Sequence, residues 1–183
     1  MNYPTAYKAE LLKTIESLDF EKVQQVIEWF HEARDAGRQI FVCGNGGSAS
    51  TASHFACDML KGASYGRKKR FRLVALTDSL PTITAYSNDL SYDVVFEEQL
   101  RNFAREGDIV LAISGSGNSP SVVRAVEWAN SAGCRTIALT GRDGGKLGPL
   151  VHLNIRAPSL HMGRIEDTHL VVCHIIAYCF MEE

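Results

Sequence analysis

Two glycine- and serine-rich turns constrain this chain more than anything else in it: Gly44-Asn45-Gly46-Gly47-Ser48 and Ser114-Gly115-Ser116-Gly117-Asn118-Ser119. Each follows a short apolar run that reads as a β-strand, residues 39–43 and 108–113, and each opens a segment with helical spacing. Glycine lets a backbone turn with positive φ and lets an anion come close to the main chain. Serine and asparagine cap the helix and add hydroxyl and amide donors. The unpaired N–H groups at the helix start, with the positive end of its dipole, then face a ligand. Two such turns in one α/β chain point to a phosphorylated ligand, and their hydroxyl content points to a sugar as much as to a nucleotide.

Apolar spacing around the turns predicts the rest of the fold. Leu11, Leu12, Ile15 and Leu18 recur at helical intervals, as do Val23, Val26, Ile27 and Phe30, so two helices precede the first strand, with Asp19 a cap between them. A helix is expected over 48–60, a second strand over 71–76, shorter helical segments over 80–86 and 94–103, and a third strand over 109–113. A helix over 120–132 leads to a fourth strand over 136–139. A fifth strand follows over 153–155, and a long helix from about 164 closes the chain. Alternating strands and helices imply right-handed crossovers and a parallel sheet covered on both faces. The predicted class is therefore a three-layer, flavodoxin-like α/β fold with strand order 2-1-3-4-5. Its switch point lies between strands one and three, where ligands bind beyond the carboxyl ends of the strands. Both turns follow those two strands.

The 183 residues fit one domain, residues 1–183. A net charge of −2 gives no broad basic surface for nucleic acid, and no apolar stretch approaches the length of a membrane span. The first residues, Met1-Asn2-Tyr3-Pro4, do not read as a secretory leader. The five cysteines, Cys43, Cys57, Cys134, Cys173 and Cys179, contain no CxxC pair and read as buried free thiols of a cytoplasmic protein. The basic run Arg67-Lys68-Lys69-Arg70 reads as a solvated loop, with help in holding a phosphate as a minor alternative.

The first turn also fits a GxGxxA dinucleotide pattern, but Asp78 lies too far along to hold a ribose, so no nucleotide cofactor is expected. Side chains able to move protons or hold metal fall on two helices. His54 and Asp58, four apart, share a helix face. Glu166 and His174, eight apart on the last helix, stand about 80° apart around it and are expected to lean toward one cleft. A histidine amid Val171, Val172, Ile175 and Ile176 needs a partner. His31, His152, His161 and His169 read as structural.

Taken together, these stretches resemble the sugar isomerase (SIS) domain, and within it the bacterial phosphoheptose isomerases. The resemblance rests on CGNGGSAS at 43–50, HFACD at 54–58, SND at 87–89, ISGSGNS at 113–119, ALTGRDGG at 138–145 and RIEDTHLVVCH at 164–174. It implies an aldose–ketose isomerase interconverting sedoheptulose 7-phosphate and D-glycero-D-manno-heptose 7-phosphate. By that resemblance Asn45, Gly46, Gly47, Ser48, Asn88, Asp89 and Glu166 line the sugar-phosphate site. Ser114, Gly115, Ser116 and Ser119 form the phosphate turn. Asp58 and His174 are catalytic, and His54, Asp58, Glu166 and His174 hold one Zn²⁺. It also implies a homotetramer in which residues 1–37 pack between subunits. The chain departs from the family pattern at four positions: Asp58 for glutamate, Glu166 for glutamine, Gly115 for threonine and Gly163 for aspartate. Asp58 shortens one arm by a carbon, Glu166 adds a charge that should favour a cation, and Gly115 leaves extra room. Rival readings are an isomerase of another phosphosugar, and a non-catalytic SIS protein that binds sugar phosphate or associates with a replication initiator.

Overall fold

The computed structural model describes residues 2–183. Five strands, β1 (Gln39–Gly44), β2 (Arg72–Ala75), β3 (Ile109–Ser114), β4 (Arg135–Gly141) and β5 (Leu153–Ala157), form one all-parallel sheet in the order β2-β1-β3-β4-β5. The period-2 alternation of a buried strand gives each face its own core. Ile40 and Val42 of β1 and Ile109, Leu111 and Ile113 of β3 face one core. It is completed by α2 (Phe20–Ala36), α3 (Gly47–Cys57) and α8 (Met162–Met181). Phe41, Cys43, Val110 and Ala112 face the other, beneath α5 (Glu97–Phe103), α6 (Pro120–Ser131) and the short α7 (Leu147–Leu150). Both layers have aromatic centres: Phe30, Phe55, Phe96 and Phe180 are fully buried.

The first two helices are α1 (Tyr3–Glu16) and α2, and Asp19 caps α2 as expected, accepting from the Lys22 N–H at 3.3 Å. The α1 helix buries only Thr14 and leaves Leu12 exposed. Besides the short α7, three features were not foreseen. After Cys57 the third helix widens into a π-helical turn, Asp58–Gly62. The α4 helix (Leu80–Asp89) runs three residues past the expected end. The helix expected over 94–103 resolves as a 3₁₀ turn, Tyr92–Val94, capped by Ser91, followed by α5.

Two expectations need correction. The basic run 67–70 precedes β2, so it sits at the amino end of a parallel sheet, opposite the turns that follow β1 and β3. There Arg67 donates to the Met181 carbonyl at 2.8 Å and Lys69 pairs with Asp35 at 2.9 Å, so the run has no part in holding a phosphate beyond the carboxyl ends. All five cysteines are free, but only Cys43, Cys134 and Cys173 are buried. Cys57 and Cys179 face solvent, because each falls on the outer side of an amphipathic helix.

Candidate functional site: an anion cleft and a histidine–carboxylate cluster

At the switch point, Gly44 of β1 stands in register with Ile113 of β3, which brings the two glycine–serine turns side by side. A cleft of about 260 Å³ opens there. Asn45, Gly46, Gly47, Ser48, Ser114, Gly115, Ser116 and Ser119 all line it, with Met162 and Glu166 from α8. Gly46 takes φ 55°, ψ −123° at the start of α3, a conformation closed to most side chains. The amino ends of α3 and α6 both open at the cleft and bring the positive ends of their dipoles to it, while the Ser48, Ala49 and Val122 N–H groups donate to the Asn45, Gly46 and Ser119 carbonyls, each at 3.0 Å. Ser114 donates to the Ser119 hydroxyl at 3.3 Å. Ser116 Oγ accepts from the Asn118 N–H at 3.1 Å, which leaves its own hydroxyl proton for a ligand. The loop after β4 braces this turn: Leu147 N–H donates to the Gly117 carbonyl at 2.9 Å, and Lys146 N–H to the Asn118 amide at 3.1 Å.

The second cluster lies farther along the same helices. His54 Nε2 is 3.5 Å from Asp58 Oδ2, His174 Nε2 is 3.8 Å from that oxygen, and the two imidazole nitrogens are 3.5 Å apart. Asp58 thus reaches both histidines despite its shorter arm. Its side chain is 19% exposed, against 49% for His54 and 39% for His174, so the cluster is open to a ligand. A tetrahedral Zn²⁺ with bonds of about 2.1 Å separates its ligands by about 3.4 Å. The three observed separations approach that value, and two imidazoles with one carboxylate leave a fourth position, the donor set of a catalytic zinc site. These three residues therefore form a group able to hold a metal ion.

Glu166 does not join them. Its carboxylate lies against Gly47, where an added Cβ would fall 2.5 Å from Oε1, and it lines the cleft between the two turns instead. The eight-residue spacing explains the difference. The angular offset between 166 and 174 is small, but at 1.5 Å per residue they stand about 12 Å apart along α8. The four-ligand set thus reduces to three. Gly115 likewise leaves no spare room: a Cβ there would come within 2.6 Å of Met162 Sδ, so the methionine sulfur fills the space a larger residue would take. At Gly163 a Cβ would meet the Tyr7 hydroxyl at 3.0 Å. Asn88 and Asp89 end α4, exposed and hydrogen-bonded to each other at 2.8 Å, and do not line the cleft of their own chain.

Tyr92 and Ser121 were missed. Tyr92 donates its hydroxyl proton to Asn45 Oδ1 at 2.7 Å, and Asn45 Nδ2 donates to Ser121 Oγ at 3.0 Å. Both ends of the Asn45 amide are taken by protein. No sequence spacing signals a contact between residues 47 apart. The histidines read as structural find protein partners. His169 is buried with Nε2 donating to the Thr140 carbonyl at 3.0 Å, and burial drives its pKa down to about 4. His152 bonds Thr136, His161 accepts from the Arg164 N–H, and His31 faces Glu183.

Comparison with known proteins agrees with this geometry. The phosphoheptose isomerase of Aliarcobacter butzleri is 39% identical over 171 residues, 93% of this chain and 89% of its own. That of Helicobacter pylori strain P12 is 37% identical over 174 residues, 95% of this chain and 90% of its own. The solved phosphoheptose isomerase of Neisseria gonorrhoeae superposes with a TM-score of 0.89 at 34% identity, covering 98% of this chain and 97% of that one. Residues 5–141 match the SIS domain, and the chain belongs to the SIS domain family.

Proposed function

We propose that this chain is a phosphosugar isomerase acting on sedoheptulose 7-phosphate and its aldose partner, D-glycero-D-manno-heptose 7-phosphate. The observation that carries the reading is the pairing of two stations along α3 and α8. Gly47 and Glu166 meet at the cleft, and His54 and His174 meet farther on. Seven residues of α3 and eight of α8 separate them, roughly 10–12 Å of helix. A fully extended seven-carbon ketose phosphate reaches roughly 10 Å from phosphorus to C1, since a zigzag chain of about 1.5 Å bonds advances about 1.25 Å per bond. A five-carbon one falls about 2.5 Å short.

The serine turn would hold the phosphate through hydroxyls and helix N–H groups and so orient the reacting end. Asp58 takes the C1 proton of the ketose while His174 delivers a proton to O2, giving the enediol. Loss of the O1 proton and return of a proton to C2 then give the aldose. His54, Asp58 and His174 are the residues that would hold Zn²⁺, whose Lewis acidity would act on a sugar carbonyl. Metal ligation and proton transfer draw on the same Asp58 and His174 atoms, so the two roles compete.

The whole chain is read as one SIS domain working in the cytoplasm as a homotetramer. No helix among the described residues is long and apolar enough to cross a membrane. The α1 helix, with Leu12 exposed and only Thr14 buried, supports packing of α1 against other copies, whereas α2 already buries Val23, Val26 and Phe30 in the core of its own chain. Asn88 and Asp89, exposed away from their own cleft, would enter a site only if another copy supplied its partners. Light scattering should therefore report a tetramer.

The deciding experiment is turnover of C5, C6 and C7 ketose phosphates with and without added zinc. Fastest turnover of the C7 ketose is expected. Tight binding of all three without conversion would sink the enzymatic reading and leave a sugar-phosphate-binding protein.

A further inference from the structure

We infer that Tyr92 is a positioning residue: through Asn45 it sets the glycine turn of the anion cleft against the first turn of α6. The inference rests on the reading of that cleft as a phosphate site. Three elements from distant parts of the chain meet at one amide. Tyr92 opens the 3₁₀ turn after α4, Asn45 begins the turn after β1, and Ser121 lies in the first turn of α6. The Tyr92 hydroxyl donates to Asn45 Oδ1 at 2.7 Å, and Asn45 Nδ2 donates to Ser121 Oγ at 3.0 Å. The two bonds hold the amide between the two hydroxyls, each of which can donate or accept as the amide requires.

Each end of the chain of bonds is anchored differently. Ser121 is 1% exposed, held by the packed start of α6. Tyr92 is 46% exposed and belongs to neither hydrophobic core, but the next residues, Val95 and Phe96, are fully buried and fix the 3₁₀ turn. An exposed ring whose hydroxyl reaches into the site contributes little to packing. What it holds is the residue before Gly46, whose positive φ lets the chain swing into α3. The Asn45 carbonyl also accepts the Ser48 N–H at 3.0 Å, so the amide and the start of α3 move as one unit. The turn lies at the binding end of the site, so a looser tie weakens anchoring of the anion more than it slows the reacting end.

The test is Tyr92→Phe, which keeps the ring and removes only the hydroxyl. Binding of inorganic phosphate to the full chain is measured by calorimetry, with thermal unfolding and steady-state kinetics alongside. Phosphate affinity is expected to fall about fivefold and KM for sedoheptulose 7-phosphate to rise by a similar factor, with kcat changed less than twofold and the unfolding midpoint held. Ser121→Ala should act in the same direction. The double variant should be no worse than the worse single one, because both cut the same tie. Wild-type phosphate binding matched by Tyr92→Phe, or fully additive losses, overturns the positioning role alone. A wild-type chain that binds neither phosphate nor the sugar phosphate overturns the reading of the cleft and, with it, this role.

Discussion

Glu166 places a carboxylate in the cleft where the phosphate is proposed to sit, and its removal should be felt directly. The side chain lies against Gly47 at the mouth of α3 and finds no hydrogen-bond partner among the described residues. Two unit charges about 5 Å apart interact by about 0.8 kcal/mol at the dielectric of water and about 3 kcal/mol at an effective value near 20. The residue is half-buried, so the true figure falls between them. Glu166→Gln keeps the shape and removes the charge. It should tighten binding of inorganic phosphate at least about fourfold. Calorimetry near pH 7.5 is the assay, since the ligand then carries close to two negative charges. Inorganic phosphate is the right probe because it has no sugar hydroxyls for the carboxylate to accept. The gap between variant and wild type should narrow with salt, because screening acts within about 8 Å at physiological ionic strength. An unchanged or weakened phosphate affinity would refute the argument and place the anion elsewhere.

Other outcomes follow from the same coordinates. Because Glu166 stands about 12 Å along α8 from His174, Glu166→Gln should leave zinc content unchanged, whereas His54→Ala should lower it sharply. Elemental analysis of protein purified without chelator checks both. His169, buried and pushed from 6.5 to about 4, stays neutral in the folded chain while the unfolded chain takes up a proton. Stability is full above about pH 6.5 and is lost as pH falls toward 4, by an amount on the order of 3 kcal/mol. His169→Gln should flatten that part of the urea-denaturation profile, and an unaltered slope would count against it.

Both turns and the His54–Asp58 pair were legible because each depends on local spacing alone, and the strand order followed from the alternation of strands and helices together with the right-handed crossover rule. Alternation of two fixes which strand faces which core, and a spacing of four puts two side chains on one helix face. The contacts that sequence hid are those set by packing between distant segments. Met162 fills the space at Gly115, and Tyr92 reaches Asn45, each across 47 residues. Neither partner carries a pattern of its own. The widening at Asp58–Gly62 was also hidden, since a π turn leaves no compositional mark in so short a run.

The separation of Glu166 from the metal-capable cluster teaches more about the site than the residues that met expectation. Angle around a helix was the wrong coordinate for residues eight apart, and the rise along it was the right one. Gly47 touches Glu166 and His54 touches His174, so α3 and α8 run side by side in the same direction with matching steps. On the proposed function, two packed helices of fixed rise would act as a ruler between the phosphate end and the end that moves protons. Helix geometry rather than loop conformation would then set the distance between phosphate and reacting carbons. A substrate of the wrong length would be anchored at the serine turn, yet its carbonyl would stop short of Asp58 and His174.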